Sequence, residues 1–100
     1  MRDEKHHNGL TPAEAERLAM LAEEAGEIVH VVGKILRHGY ESSHPLQPEV
    51  SNRTLLSREI ADMLGVIALI HNDVDTAIDY DPNLVAQRKL KWTHHQGKTK

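Results

Sequence analysis

The sequence predicts an all-α protein: a helical bundle of about three main helices per chain, completed to a four-helix-type core by oligomerisation. Three observations carry that expectation. The apolar residues are aliphatic, because hydrophobic residues make up 39% of the chain while the aromatics are one Trp, two Tyr and no Phe. Leu, Ile, Val, Ala and Met must then fill the core, which favours helix packed on helix. Two long stretches place their apolar residues at alternating steps of three and four, and three stretches open on helix-capping signals. One hundred residues make a single domain, residues 1–100, near the lower limit of what a lone hydrophobic core supports. Burial of part of its surface in an oligomer is therefore expected.

Residues 1–10 and 96–100 are polar and read as loose tails, with His6 and His7 simply solvated. Thr11 is an N-cap, Pro12 suits the first helical position, and Glu14 completes a capping box. Gly39 supplies the stop, after Lys34, Arg37 and His38 in the last turns, where cations suit the helix dipole. The first helix is thus expected from about Pro12 to His38. Leu18, Leu21, Ala25, Ile28, Val32 and Ile35 form its heptad-like seam, which Ala22, Val29 and Leu36 widen. Residues 39–50 hold a Gly, two Pro and two Ser, so they read as a long loop, with Tyr40 a candidate for stacking on a nucleobase.

Ser51 or Asn52 caps a second helix expected to end near residue 73. Leu55, Glu59, Asp62, Val66 and Leu69 fall on one stripe of it, while Met63, Ile67 and Ile70 make the neighbouring face apolar too. Such a helix is expected to be nearly all buried. Residues 72–80 turn the chain. Asp81 and Pro82 then open a third helix expected to run to about residue 95, with Leu84, Val85 and Leu90 as its apolar contacts and Arg88, Lys89 and Lys91 on its other face.

Composition narrows the function classes. The net charge is −3 with His neutral, so no broad basic face points to a nucleic acid polymer. The absence of Cys excludes disulfides and thiolate metal sites and suits a reducing compartment. No apolar run reaches membrane-spanning length and the polar start is unlike a signal peptide, so a cytoplasmic protein without a membrane partner is expected.

Two acidic pairs interrupt the apolar helices: Glu24 with Glu27, and Glu59 with Asp62. Each pair is spaced i,i+3, which puts both carboxylates on one side of a helix. Clustered carboxylates on buried helix faces are costly unless a cation neutralises them. Ion pairing with Arg58, Lys34 or Arg37 is one remedy. The better fit to four acids on two central helices is Mg²⁺, with Mn²⁺ as a substitute, shared between protein carboxylates and the phosphates of a nucleoside triphosphate.

Glu23-Glu24-x-x-Glu27 followed by Glu59-x-x-Asp62 resembles the signature of the MazG-like, all-α nucleoside triphosphate pyrophosphohydrolases. The likeness covers about residues 18–69, with a weaker extension at Arg88-Lys89-Leu90. It implies cleavage between the α and β phosphates, releasing a nucleoside monophosphate and pyrophosphate. By motif position it implies Glu24, Glu27, Glu59 and Asp62 as metal ligands, Glu23 as a supporting or water-orienting acid, and Lys89 as a phosphate contact. It also implies dimers or tetramers with sites near subunit contacts. Three alternatives have different consequences. Glu27-Ile28-Val29-His30 is a Glu-x-x-His, as in di-iron bundles, but a second such motif is missing. A non-catalytic helical oligomerisation module leaves the acids as solvent-facing charges. A nucleotide-binding regulator keeps the fold without turnover.

Overall fold

Three helices make up the fold in a computed structural model that describes residues 7–96: α1 (Pro12–His38), α2 (Asn52–Asn72) and α3 (Pro82–Leu90). Residues 1–6 and 97–100, assigned above to loose tails, lie outside the described residues. Among the described residues no strand forms; the one β-like feature is an isolated antiparallel bridge between Ser43 and Ser51.

The first helix begins and ends where its signals predict. Thr11 Oγ1 accepts the Glu14 N–H at 3.1 Å, and Glu14 Oε1 accepts the Thr11 N–H at 2.9 Å. This reciprocal box satisfies two N–H groups that the helix start leaves without partners. At the other end Gly39 adopts φ +91°, a conformation costly for residues with a Cβ, and donates its N–H to Ile35 O at 2.7 Å.

Ser51 caps α2 by accepting the Thr54 N–H at 3.1 Å. The next donors of that helix start bind the 39–50 loop: the Asn52 N–H reaches Ser42 O and the Arg53 N–H reaches Tyr40 O, each at 2.8 Å. Asn52, buried, also donates from Nδ2 to Gly39 O at 3.1 Å. The loop is therefore fastened to α2 by four hydrogen bonds, two from backbone N–H groups and two from the side chains of Asn52 and Arg53. Arg53 lies 4.5 Å from the Tyr40 ring centroid and pairs with Glu41 at 2.7 Å, so one face of the proposed stacking ring is already covered.

Helices α1 and α2 form an antiparallel hairpin. Its closed end is the Gly39–Asn52 bond, and its open end is tied where Arg17 donates to Asp73 Oδ2 at 2.7 Å. Val31 of α1 and Val66 and Ile70 of α2 are the buried hydrophobic residues of the seam. The second helix buries one stripe rather than most of its circumference: Leu64 is 59% exposed and Leu69 51% exposed. One antiparallel neighbour covers only one side of a helix, and α3 packs against neither α1 nor α2. The radius of gyration is accordingly 17.8 Å, against about 13 Å for a compact chain of this length.

The third helix stops at Leu90, short of the expected end. Lys91, Trp92 and Thr93 donate to carbonyls three residues back, which tightens the end into a 3₁₀-like turn, and Thr93 Oγ1 donates to Leu90 O at 2.8 Å. Leu84, Val85 and Leu90 are exposed, so their expected apolar contacts are not made within the single chain.

Candidate metal centre

Glu59 and Asp62, one turn apart on α2, project from the same side of that helix toward α1. There they meet Glu24, and one carboxylate oxygen from each of the three lies within 4.8 Å of the others. Glu24 and Glu59 are half-buried and Asp62 is exposed, so the group sits at the lip of the hairpin seam with one side open to solvent.

No base neutralises this group. Among the described residues the ion pairs are Arg17–Asp73 and Arg53–Glu41, and neither involves the three acids. The pairing with Arg58, Lys34 or Arg37 weighed above does not occur. The uncompensated charge registers on Glu24, whose carboxyl is held above its ordinary pKa. Burial contributes most; the charges of Asp62 and Glu59, a hydrogen bond to Glu59, and the charge of Glu23 add to it.

The donor set suits a hard divalent cation, because it consists of carboxylate oxygens alone. Oxygens on opposite sides of an octahedral Mg²⁺ are about 4.2 Å apart, from metal–oxygen distances of about 2.1 Å. Adjacent oxygens on the same ion are about 3.0 Å apart, so three oxygens lying within 4.8 Å of one another must draw together to bind one Mg²⁺. Three carboxylates leave the remaining positions of an octahedron to water and phosphate oxygens, as Mg²⁺ sites commonly do.

The structure does not bring all of the anticipated residues together. Glu27 is exposed and falls outside the trio, although it lies one turn from Glu24. His30, which completes the Glu-x-x-His with Glu27, is exposed as well. Glu23 is exposed beside Glu24 and acts on it through charge. Lys89 lies exposed on α3, which packs on neither helix of the hairpin, so it stands apart from the acids. At the closed end of the hairpin lies a concave surface to which the acid pairs give no clue, lined in part by Lys34, Arg37 and His44. Its basic residues on α1 looked like ordinary partners of the helix C-terminus.

No protein-family model matches the chain, and no curated protein or solved structure does. The fold and the acid trio thus define an all-α protein with a carboxylate site suited to a divalent cation, and any reaction is inferred from that site.

Proposed function

We propose that this protein is a Mg²⁺-dependent nucleotide pyrophosphohydrolase, cleaving ribo- or deoxyribonucleoside triphosphates between the α and β phosphates to a monophosphate and pyrophosphate. The observation that carries the reading is the convergence of Glu24, Glu59 and Asp62 from two helices with no ion pair to a basic side chain among the described residues. Like charges gathered at a partly desolvated site are unfavourable by themselves, and a cation turns that cost into affinity. A bound Mg²⁺ would neutralise triphosphate charge and lower the pKa of an attacking water. The three carboxylates hold the ion. Glu27, one turn along the same helix from Glu24, and Glu23 beside it would act, if at all, on water rather than as ligands of the ion. Manganese, with the same preference for oxygen ligands, is expected to substitute.

Lys89 can contact substrate phosphate only if α3 is brought to a hairpin, its own or that of a second copy. A homodimer or homotetramer would do this while covering exposed apolar residues. No helix among the described residues is long and apolar enough to cross a membrane, and a cytoplasmic location fits an enzyme acting on free nucleotides.

A second reading, a non-catalytic helical oligomerisation or nucleotide-binding regulatory module, draws on the same exposed apolar surface and on the distance of α3 from the acids. One experiment separates the two. Purified protein is incubated with a panel of nucleoside triphosphates and Mg²⁺, and pyrophosphate is scored against orthophosphate. Pyrophosphate release that is lost in Asp62→Asn supports the enzyme. Thermal stabilisation by Mg²⁺ and nucleotide without turnover supports the regulator, and neither response leaves the oligomerisation module.

A further inference from the structure

At the closed end of the hairpin the 39–50 loop folds back over α1 and leaves a cavity of about 280 Å³. One wall is the last turns of α1, with Lys34, Arg37 and His38; the loop supplies Ser42 and His44 opposite. Among the described residues no carboxylate lines it. None of its basic groups takes part in the two ion pairs found among the described residues. In a chain of net charge −3, two fixed cations and two histidines facing one cavity are a local inversion of sign.

The donors are oriented. Arg37 folds back along its own helix, with Nη1 3.6 Å from where a Cβ on Gly33 would sit. His44 Nδ1 accepts the Leu46 N–H at 3.0 Å. The neutral imidazole therefore carries its proton on Nε2, and that nitrogen is a donor in either protonation state. The attraction of a helix C-terminus for cations accounts for Lys34, Arg37 and His38 at the end of α1. It does not account for a loop, held by Asn52 and the first turn of α2, that sets a further histidine and a serine hydroxyl beside them around one open cavity.

We propose that this cavity binds a phosphate-bearing anion. The guanidinium of Arg37 offers a fork that matches two phosphate oxygens, Lys34 a point charge, and His44 Nε2 and the Ser42 hydroxyl neutral donors. The site is separate from the carboxylate trio: Lys34 lies ten residues beyond Glu24 on the same helix, about 15 Å at 1.5 Å per residue. It requires no metal, so it stands or falls independently of the proposed reaction. The phosphate can belong to a free inorganic anion or to a nucleotide.

The test is calorimetric titration of the full chain in the presence of a metal chelator, with inorganic pyrophosphate and a nucleoside monophosphate as separate probes. Wild type, Lys34→Gln, Arg37→Gln and Glu59→Gln are compared, with circular dichroism to establish that each is folded. At least one probe is expected to bind wild type and Glu59→Gln alike. Lys34→Gln and Arg37→Gln should each weaken that binding about tenfold, as expected for losing a hydrogen bond to a charged group. Tighter pyrophosphate binding assigns the site to free anions; tighter monophosphate binding assigns it to nucleotides. Failure of both probes to bind wild type at millimolar concentration, or equal binding by wild type and both cavity variants, overturns the proposal.

Discussion

Glu24 of α1 and Glu59 of α2 meet across the hairpin seam, where one carboxylate oxygen of each lies within 4.8 Å of the other and of one from Asp62. Burial, with the charges of Asp62 and Glu59, raises the affinity of Glu24 for a proton. The same three side chains therefore have two ways to lower their repulsion. They can hold a proton on Glu24, or they can hold a divalent cation.

This competition sets a pH dependence. The folded-state pKa of Glu24 lies above its unfolded value, so its favourable contribution is complete below the unfolded pKa, about 4.3, and is lost as pH rises through the raised value. The metal-free protein should lose melting temperature over that interval because of this group. Glu24→Gln should flatten that part of the profile. Added Mg²⁺ should restore stability at neutral pH and have progressively less effect as the pH falls into the carboxylate range, because proton and metal compete for the same oxygens. Melting curves with chelator and with Mg²⁺ across this interval check all three outcomes.

The trio and Glu27 should separate in mutants. Glu59→Gln and Asp62→Asn each remove a side chain of the convergent group and are expected to lower kcat/KM for pyrophosphate release at least about 100-fold. Their metal-free melting temperatures near neutral pH should equal or exceed that of wild type, because repulsion falls. Glu27→Gln is expected to lose less, since Glu27 stands outside the group. Steady-state kinetics at saturating Mg²⁺ on the three variants decides this, and a Glu27 loss as large as that of Asp62 would restore it as a full ligand.

That contrast shows where the sequence was informative. Capping chemistry is local, so Thr11, Pro12, Glu14 and Gly39 place the ends of α1, and the pair Ser51 and Asn52 places the start of α2 to within a residue, Ser51 being the cap. The helical wheel placed Glu59 and Asp62 on the stripe that contains Val66, and Val66 is buried against α1. The wheel gives directions about one helix axis but not which directions a neighbour covers, so Glu27 and the outer side of α2 were read as more enclosed than they are. The end of α3 depends on i→i−3 bonds and the Thr93 hydroxyl, which propensity does not forecast. The basic cavity was illegible for a stronger reason. It exists because Asn52 and Arg53 reach back to Gly39, Tyr40 and Ser42, and those pairings are non-local.

Asn52 gives a direct measure of how firmly that loop is held. It is the buried polar residue of the hairpin, and its Nδ2 supplies a bond to the Gly39 carbonyl at the end of α1. Asn52→Ala leaves that carbonyl without its side-chain partner, at a cost of about 1–3 kcal/mol. Chemical denaturation should show this as a lower midpoint with unchanged slope. Asn52→Asp should be at least as damaging, because a carboxylate cannot donate to the carbonyl and places a charge in a buried site.

The exposed apolar surface leads to the last prediction. Val29 is 72% exposed and Leu36 82% exposed, two turns apart on the side of α1 that α2 leaves uncovered, while Leu64 and Leu69 are exposed on α2. Against this, three hydrophobic residues are buried among the described residues of the single chain. A hairpin with so small an interior is expected to be marginal by itself, since burying a Val or Leu side chain contributes only about 1.5–3 kcal/mol before ordering costs. A second copy placed on the Val29–Leu36 side supplies the missing apolar contact and turns the hairpin into a four-helix arrangement. Light scattering on the eluting protein should therefore give the mass of a dimer or tetramer. The melting temperature should rise with protein concentration, because folding is then linked to association. Val29→Glu combined with Leu36→Glu places two charges in that contact and should shift the mass to the monomer, with loss of most helical signal at low concentration. A monomeric wild type whose melting temperature is independent of concentration would show that this apolar side needs no second copy.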